Sequence, residues 1–329
     1  MPTCPAPVRR LDAAAVAELT TTAEKLLAFH GSATSPALLA DLPVMCAQLG
    51  EPLRRQLRPV DTADGLFVLR GLDIDDGELG PTPGHWSRVG EAGAVWDVVL
   101  LLVSTLMGTP IAWDGQQDGR FVHNIVPSPG HESEQTGASS SVLLTPHTED
   151  AFHPGRAHLL LLCCMRNHDA IATTAASVRL AELPEADVAQ LKRSVAPILP
   201  DDAYEEAQQF GGRPDPVPTL FDTADGLTMR YDPAYTPLDD ADEAWREAYG
   251  RLGEELARVS VAVSLEPGDI LVVDNDLVVH GRVPFQARYD GTDRWLKRAS
   301  ARVEDRPTRP AAEQDEHGYG QAALTAWPA

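Results

Sequence analysis

"EPGDILVVDNDLVVHGRVPF", residues 266–285, changes character every few positions. Glu-Pro-Gly opens a turn. "ILVV" follows as a short β-branched run, Asp274 and Asp276 in "VVDNDL" make a second turn, and "LVVH" starts a second run. Each run is too short for a helix and is bounded by turn formers, so both read as strands. The same texture extends upstream through "RFVHNIVP" (120–127), "SVLLTPH" (141–147), "HLLLLCCM" (158–165) and "DAIATTAASV" (169–178). These segments predict a mainly β core.

Helical patterns surround it. Residues 11–29, "LDAAAVAELTTTAEKLLAF", repeat apolar positions at helical spacing, and 36–57 read as a second helix. "AVWDVVLLLVSTLMG" (94–108) is apolar nearly all round and predicts a buried helix. A strand is expected at "GLFVLRG" (65–71), a short helix at 184–194 and a long amphipathic helix with a solvated acidic face at 239–262. "LFDTADGLTMRYDP" (220–233) and "ARYDGTDRWLKRASARV" (287–303) predict hairpins. Residues 199–218 lack periodicity and form a long loop, a candidate lid. No repeat or linker divides the chain, so one domain is expected over 1–303, its residues 1–64 helical, with a polar tail at 304–329. Helices first and strands later suit an α+β domain in which helices buttress a sandwich or barrel.

The 329 residues suffice for a sizeable core, with 43% hydrophobic residues and no run long enough to span a membrane. The net charge of −22, from 27 basic and 49 acidic residues, repels nucleic acid and anionic membrane. "MPTCPAPVRRLD" lacks the apolar core of a signal peptide, and a cytoplasmic location is expected. Cys4, Cys46, Cys163 and Cys164 show no metal-type spacing and read as free thiols in a reducing compartment.

The chemistry centres on "LLTPHTEDAFHP" (143–154). His147 and Glu149 stand two apart, and on an extended segment both point to one side. His280, ending the strand "DLVVH", is the best candidate for a third ligand. Two imidazoles and one carboxylate make the facial triad that leaves three positions open on non-haem iron. A structural zinc site would instead fill four positions. Arg294 in "GTDRWLKR" can grip the far carboxylate of a chelating keto acid. Arg298, four residues on and on the same strand face, can hold a second carboxylate. Asp150 reads as structural, and His123, His153 and His158 as packing or surface residues.

"HTEDAFHP", "DNDLVVHGRVPF" and "RYDGTDRWLKR", with "LGPTPGHW" (79–86) and "QQDGRFVHNIVP" (116–127), together resemble the clavaminate synthase-like Fe(II)/2-oxoglutarate oxygenases. That family includes hydroxylases of free arginine, asparagine and lysine. The resemblance covers roughly residues 65–302 and implies a double-stranded β-helix, or jelly roll, flanked by helices. It implies iron ligation by His147, Glu149 and His280, 2-oxoglutarate binding by Arg294 assisted by Thr173 or Thr174, and O₂ as the oxidant. Arg298 matches a residue that holds the substrate α-carboxylate. Gln117 and Glu149 fall at substrate-contacting positions, and Asp232 where an acid meets the side chain of a basic substrate. Glu149 also argues against halogenation, for which relatives carry a small residue there.

The implied reaction is hydroxylation of an unactivated Cβ or Cγ of an L-amino acid, with a basic substrate of lysine or arginine type preferred. Asparagine, a carrier-bound amino acid, and desaturation or ring closure are alternatives. The acidic surface disfavours an acidic carrier. A non-catalytic jelly-roll binding protein would lack turnover. A zinc hydrolase would need a motif of the H-E-x-x-H kind, which is absent.

Overall fold

The computed structural model describes residues 6–59, 64–204, 215–224, 226–304, 306, 309, 313 and 316–327. Two sheets lie at its centre. In chain order the elements up to the first sheet crossing are β1 (Val8–Arg10), α1 (Ala13–His30), α2 (Pro36–Gln48), α3 (Glu51–Gln56), β2 (Leu66–Arg70), α4 (Asp76–Leu79) and α5 (Ala94–Met107). Then come β3 (Thr109–Trp113), β4 (Val122–Ile125), β5 (Leu144–His147), β6 (Leu159–Arg166), β7 (Thr173–Ser177) and α6 (Glu185–Leu191). The rest are β8 (Leu220–Thr223), β9 (Gly226–Met229), α7 (Glu243–Val259), β10 (Val261–Val263), β11 (Ile270–Asp274), β12 (Val278–Arg282), β13 (Trp295–Arg302) and β14 (Ala323–Thr325).

The larger sheet runs β1-β2-β11-β6-β13-β3-β14, with β4 also paired to β13. The smaller is β10-β7-β12-β5. Strand β6 explains why "LLLLCCM" shows no polar alternation. Leu159, Leu161, Cys163 and Met165 face a helical layer containing α1, α2 and α5. Leu160, Leu162 and Cys164 face the smaller sheet's residues, among them Ala175, Val263 and Val279, in a second core. Side chains alternate across a strand, so a strand covered on both faces must be apolar at every position. This sandwich with helices outside it is the expected jelly roll.

Helix α7 buries Trp245, Ala248, Tyr249, Leu252 and Leu256, spaced at i, i+3, i+4, i+7 and i+11. Asp242 caps it by accepting the Trp245 N–H at 3.0 Å. Cys46, Cys163 and Cys164 are free and buried, while Cys4 lies outside the described residues. Among the described residues no helix is long and apolar enough to cross a membrane.

Three expectations are corrected. The helix expected over 36–57 is two, because Leu49 is extended and Pro52 has no N–H to continue the ladder. The hairpin expected over 287–303 has only its second arm, β13. The Asp293 carboxylate accepts the N–H groups of Arg288 at 2.8 Å and Tyr289 at 2.6 Å, which curls that segment instead of extending it. Described parts of the region after 304 are built into the domain: β14 pairs with β3, and Tyr319 is buried. Its polarity has a buried purpose. Glu313 pairs with the fully buried Arg156 at 2.9 Å, and Glu316 with the fully buried Arg230 at 2.9 Å. Of the candidate lid, the central residues 205–214 lie outside the described residues.

His153 and His158 are structural. His153 accepts the Gly155 N–H at 2.8 Å, and His158 accepts the Val303 N–H at 2.9 Å. Burial, and then for His158 the nearby Arg309, pushes both down to about 4 from 6.5. Both are neutral in the fold and take up protons on unfolding. Their contribution is therefore intact above pH 6.5 and is lost as pH falls toward 4, on the order of 2 kcal/mol for each. Urea midpoints are expected to fall between pH 7 and pH 5. A His158→Gln variant should show a shallower fall, and an equal slope would remove His158 from the account.

Candidate metal centre and active site

The smaller sheet brings the two histidines together. β5 and β12 are antiparallel, and His147 sits directly across from His280 in their register. The ring centroids are 4.5 Å apart. Glu149 Oε2 lies 3.2 Å from His280 Nε2 and 3.9 Å from His147 Nε2. All three ligand atoms lie within 4.8 Å of one another.

The protonation states suit a cation. His147 Nδ1 donates to the Thr145 carbonyl at 2.8 Å, which leaves the Nε2 lone pair facing Glu149 and His280. Burial, reinforced by His280, lowers the His147 pKa, favouring the neutral ligand form. Burial alone would raise Glu149, but Arg298 outweighs it and holds the carboxyl below its usual range. Among the described residues Glu149 Oε2 is buried with no well-aligned hydrogen-bond donor, His280 Nε2 standing 3.2 Å away. A buried charged oxygen without a donor is costly, and a metal ion on the two imidazole nitrogens would satisfy it. The donor set, two nitrogens and one oxygen on one side, fits Fe(II) with open positions.

Glu149 has left the strand. Its N–H donates to Asn275 Oδ1 at 2.8 Å, and Asn275 Nδ2 donates to its carbonyl at 3.0 Å. The next residue, Asp150, takes φ +52 and turns its carboxylate away, where Trp113 Nε1 (2.7 Å) and Tyr204 OH (2.5 Å) donate to it. Burial, with Glu149 beside it, pushes Asp150 up to about 6.

The larger sheet supplies two guanidinium groups. Arg294 immediately precedes β13 and is buried. Its Nη2 donates to Thr173 Oγ1 at 2.8 Å, and its Nε has no hydrogen-bond partner among the described residues. Among the described residues no carboxylate lies within ion-pair distance of it. Burial lowers it to about 10, so it stays charged at neutral pH. A neighbouring buried guanidinium, on Arg282 of β12 in the smaller sheet, is held by neutral acceptors of residues 139–142. Thr174, on the other face of the strand, leaves Oγ1 buried without a partner among the described residues, so it is Thr173 that Arg294 meets.

Arg298 Nη1 pairs with Glu149 Oε1, while its Nη2 donates to Gln116 Oε1 at 2.9 Å and His123 Nδ1 at 2.8 Å. Burial, then Arg298, pushes His123 down to about 3, so it stays a neutral acceptor. His123 therefore does more than pack, contrary to the sequence expectation. Gln117 lines the cavity, but its amide is occupied by the Asn124 backbone at 2.9 and 3.1 Å. Asp232 is buried, accepts the Ala234 N–H at 3.1 Å, and is pushed up to about 6 by burial. The cavity wall itself carries Asp201, not Asp232.

The triad, Thr173, Arg294 and Arg298 open into one cavity of about 660 Å³. Gln116, His123 and Asn275 are absent from the sequence reading of the site. A polar residue inside an otherwise apolar strand flank was the signal for His123, and an uncharged Asn between two turn aspartates the signal for Asn275.

A jelly roll carrying this triad beside buried arginines defines a non-haem iron oxygenase. Residues 40–300 match the family model described as Taurine catabolism dioxygenase TauD, TfdA family, and the chain belongs to that family. It is an Fe(II)/2-oxoglutarate-dependent dioxygenase of the clavaminate synthase-like group. It is 35% identical over 322 residues to an enduracididine beta-hydroxylase of Streptomyces hygroscopicus, covering 90% of this chain and 94% of that one. It is 35% identical over 257 residues to an L-ornithine/L-arginine 3-hydroxylase of Catenulispora acidiphila, covering 71% and 75%. The crystal structure of the non-heme iron oxygenase OrfP with Fe, succinate and (3R,4R)-dihydroxy-L-Arg superimposes with a TM-score of 0.82 at 37% identity, covering 91% and 95%. OrfP with Fe and alpha-ketoglutaric acid gives 0.80 at 38%, covering 91% and 95%.

Proposed function

We propose that the chain hydroxylates an unactivated Cβ or Cγ of a free basic L-amino acid, of arginine or lysine type, giving a hydroxy-amino acid, succinate and CO₂. The observation that carries this reading is the buried, carboxylate-free Arg294 in the same cavity as the His147–Glu149–His280 cluster. A buried guanidinium calls for an anion, and the far carboxylate of 2-oxoglutarate is one. His147, Glu149 and His280 would hold the iron. When bound, iron and 2-oxoglutarate supply O₂ activation coupled to decarboxylation.

The chain's own residues do the placing. Arg294, supported by Thr173, would fix the 2-oxoglutarate carboxylate. Arg298, paired with Glu149 and donating to two neutral acceptors, would present its remaining donors to the substrate α-carboxylate. Asp114, Glu134, Asp201 and Asp202 line the cavity and favour a cationic substrate. Asp232, outside that lining but with its charge acting on His147, is the acid the family resemblance puts at its side chain. Gln117 would help shape the entrance through the Asn124 backbone. Relatives act on arginine-type and lysine substrates by name, which supports the same choice. A free amino acid is favoured over a carrier-bound one because the chain itself carries a charge of −22. A cytoplasmic setting belongs to this reading.

The test is succinate formation across single L-amino acids. L-arginine or L-lysine should drive it well above neutral and acidic amino acids. Asp232→Asn should raise the KM of the basic substrate about 10- to 100-fold while leaving the 2-oxoglutarate KM unchanged. Turnover of only neutral amino acids would overturn the basic-substrate assignment.

A further inference from the structure

The metal carboxylate and the second histidine arrive from distant parts of the chain, and one buried side chain ties them. Glu149 lies just past the end of β5, so its backbone N–H and C=O have no ladder partners, yet the residue is buried. Buried backbone groups need partners. Both are met by the amide of Asn275, which is fully buried: Oδ1 accepts the Glu149 N–H at 2.8 Å and Nδ2 donates to the Glu149 carbonyl at 3.0 Å. Nδ2 also donates to the Ala157 carbonyl at 3.1 Å, and the Asn275 N–H to the His158 carbonyl at 2.8 Å. The amide orientation follows from these partners, since the reverse would set a donor against an N–H and an acceptor against two carbonyls.

Asn275 occupies the turn between β11 and β12, five residues before His280. One turn thus carries a ligand histidine and the group that fixes the ligand carboxylate. We infer that Asn275 is a positioning residue for the metal centre, setting where Glu149 stands relative to His280. The inference rests on the reading of Glu149 as a metal ligand. Its chemistry is specific to an amide. Aspartate at 275 keeps an acceptor for the Glu149 N–H but turns a carboxylate oxygen toward two carbonyls. Alanine leaves the Glu149 N–H and carbonyl without partners, while the Ala157 carbonyl keeps Arg309 Nη2 at 2.9 Å. Neighbouring Asp276 gives a control, because its carboxylate serves Arg156 and Arg309, at 3.5 and 2.9 Å, and makes no contact with Glu149.

The full-length protein is titrated anaerobically with Fe(II) in the presence of 2-oxoglutarate, following the charge-transfer absorbance of the complex. The metal-induced rise in Tm is recorded in parallel. Asn275→Asp and Asn275→Ala are expected to bind Fe(II) about 10- to 100-fold more weakly and to gain less Tm from metal. They should also consume more 2-oxoglutarate per product formed. Asp276→Asn is expected to lower the metal-free Tm while keeping wild-type Fe(II) affinity. A folded Asn275 variant whose Fe(II) affinity stays within about 2-fold of wild type overturns the inference. Failure of both variants to fold overturns it too, since Asn275 would then serve the fold and not the metal. A wild-type chain that binds no Fe(II) sinks the metal-site reading itself, an outcome distinct from either.

Discussion

Arg294→Met is expected to make the metal-free protein more stable and nearly unable to bind 2-oxoglutarate. The two effects have one cause. Arg294 is buried with a single neutral partner, Thr173, and an unsatisfied Nε. Arg282, also charged and buried, lies near enough to be lowered to about 10, first by burial and then by Arg294. Without a bound anion this guanidinium carries its desolvation cost uncompensated. Methionine has similar length and no charge, so the apo protein should gain about 1–4 kcal/mol, read as a rise in Tm. Binding moves the other way. Losing one side of a buried charge pair costs about 2–5 kcal/mol, which sets the expected rise in 2-oxoglutarate KM at about 30-fold or more. Thermal melts and 2-oxoglutarate titrations check both halves. A destabilised Arg294→Met protein with a normal 2-oxoglutarate KM would mean that the fold, not the co-substrate, uses this charge.

Glu149→Ala is expected to have the opposite sign on stability and the larger loss of activity. The carboxylate serves two partners: Oε2 faces His147 and His280, and Oε1 takes Arg298. Its removal deletes one of three iron ligands, so Fe(II) binding and turnover should fall below detection. It also strands Arg298 among neutral acceptors, Gln116 and His123. Breaking a buried pair from one side destabilises by about 3–5 kcal/mol. Adding Arg298→Met should recover most of that stability and none of the iron binding. Equal stability of the single and double variants would show that Glu149 and Arg298 do not depend on each other.

The legible parts of this molecule are those whose signal is local. The run "HLLLLCCM" reads as a strand because turn residues bound it, and its unbroken apolarity reflects cover on both faces. His147 and Glu149 are two apart, and His280 ends a short strand, so their convergence follows from strand geometry. Arg294 and Arg298 follow from the same spacing. The illegible parts depend on partners far along the chain. Nothing near Asn275 says that it meets Glu149, and nothing near His123 says that Arg298 reaches it. Glu313 and Glu316 look like part of a solvated tail because their partners, Arg156 and Arg230, stand elsewhere in the sequence. The curled segment before β13 escapes a hairpin reading because one carboxylate, Asp293, outcompetes strand pairing.

The most direct measurement is mass spectrometry of the amino-acid product formed with Fe(II), ascorbate, 2-oxoglutarate, L-arginine or L-lysine, and isotopically labelled O₂. The account predicts a product one oxygen atom heavier, its oxygen taken from O₂, with one succinate formed per product and nothing formed anaerobically. Consumption of 2-oxoglutarate without any oxidised amino acid across the full set of L-amino acids would contradict it.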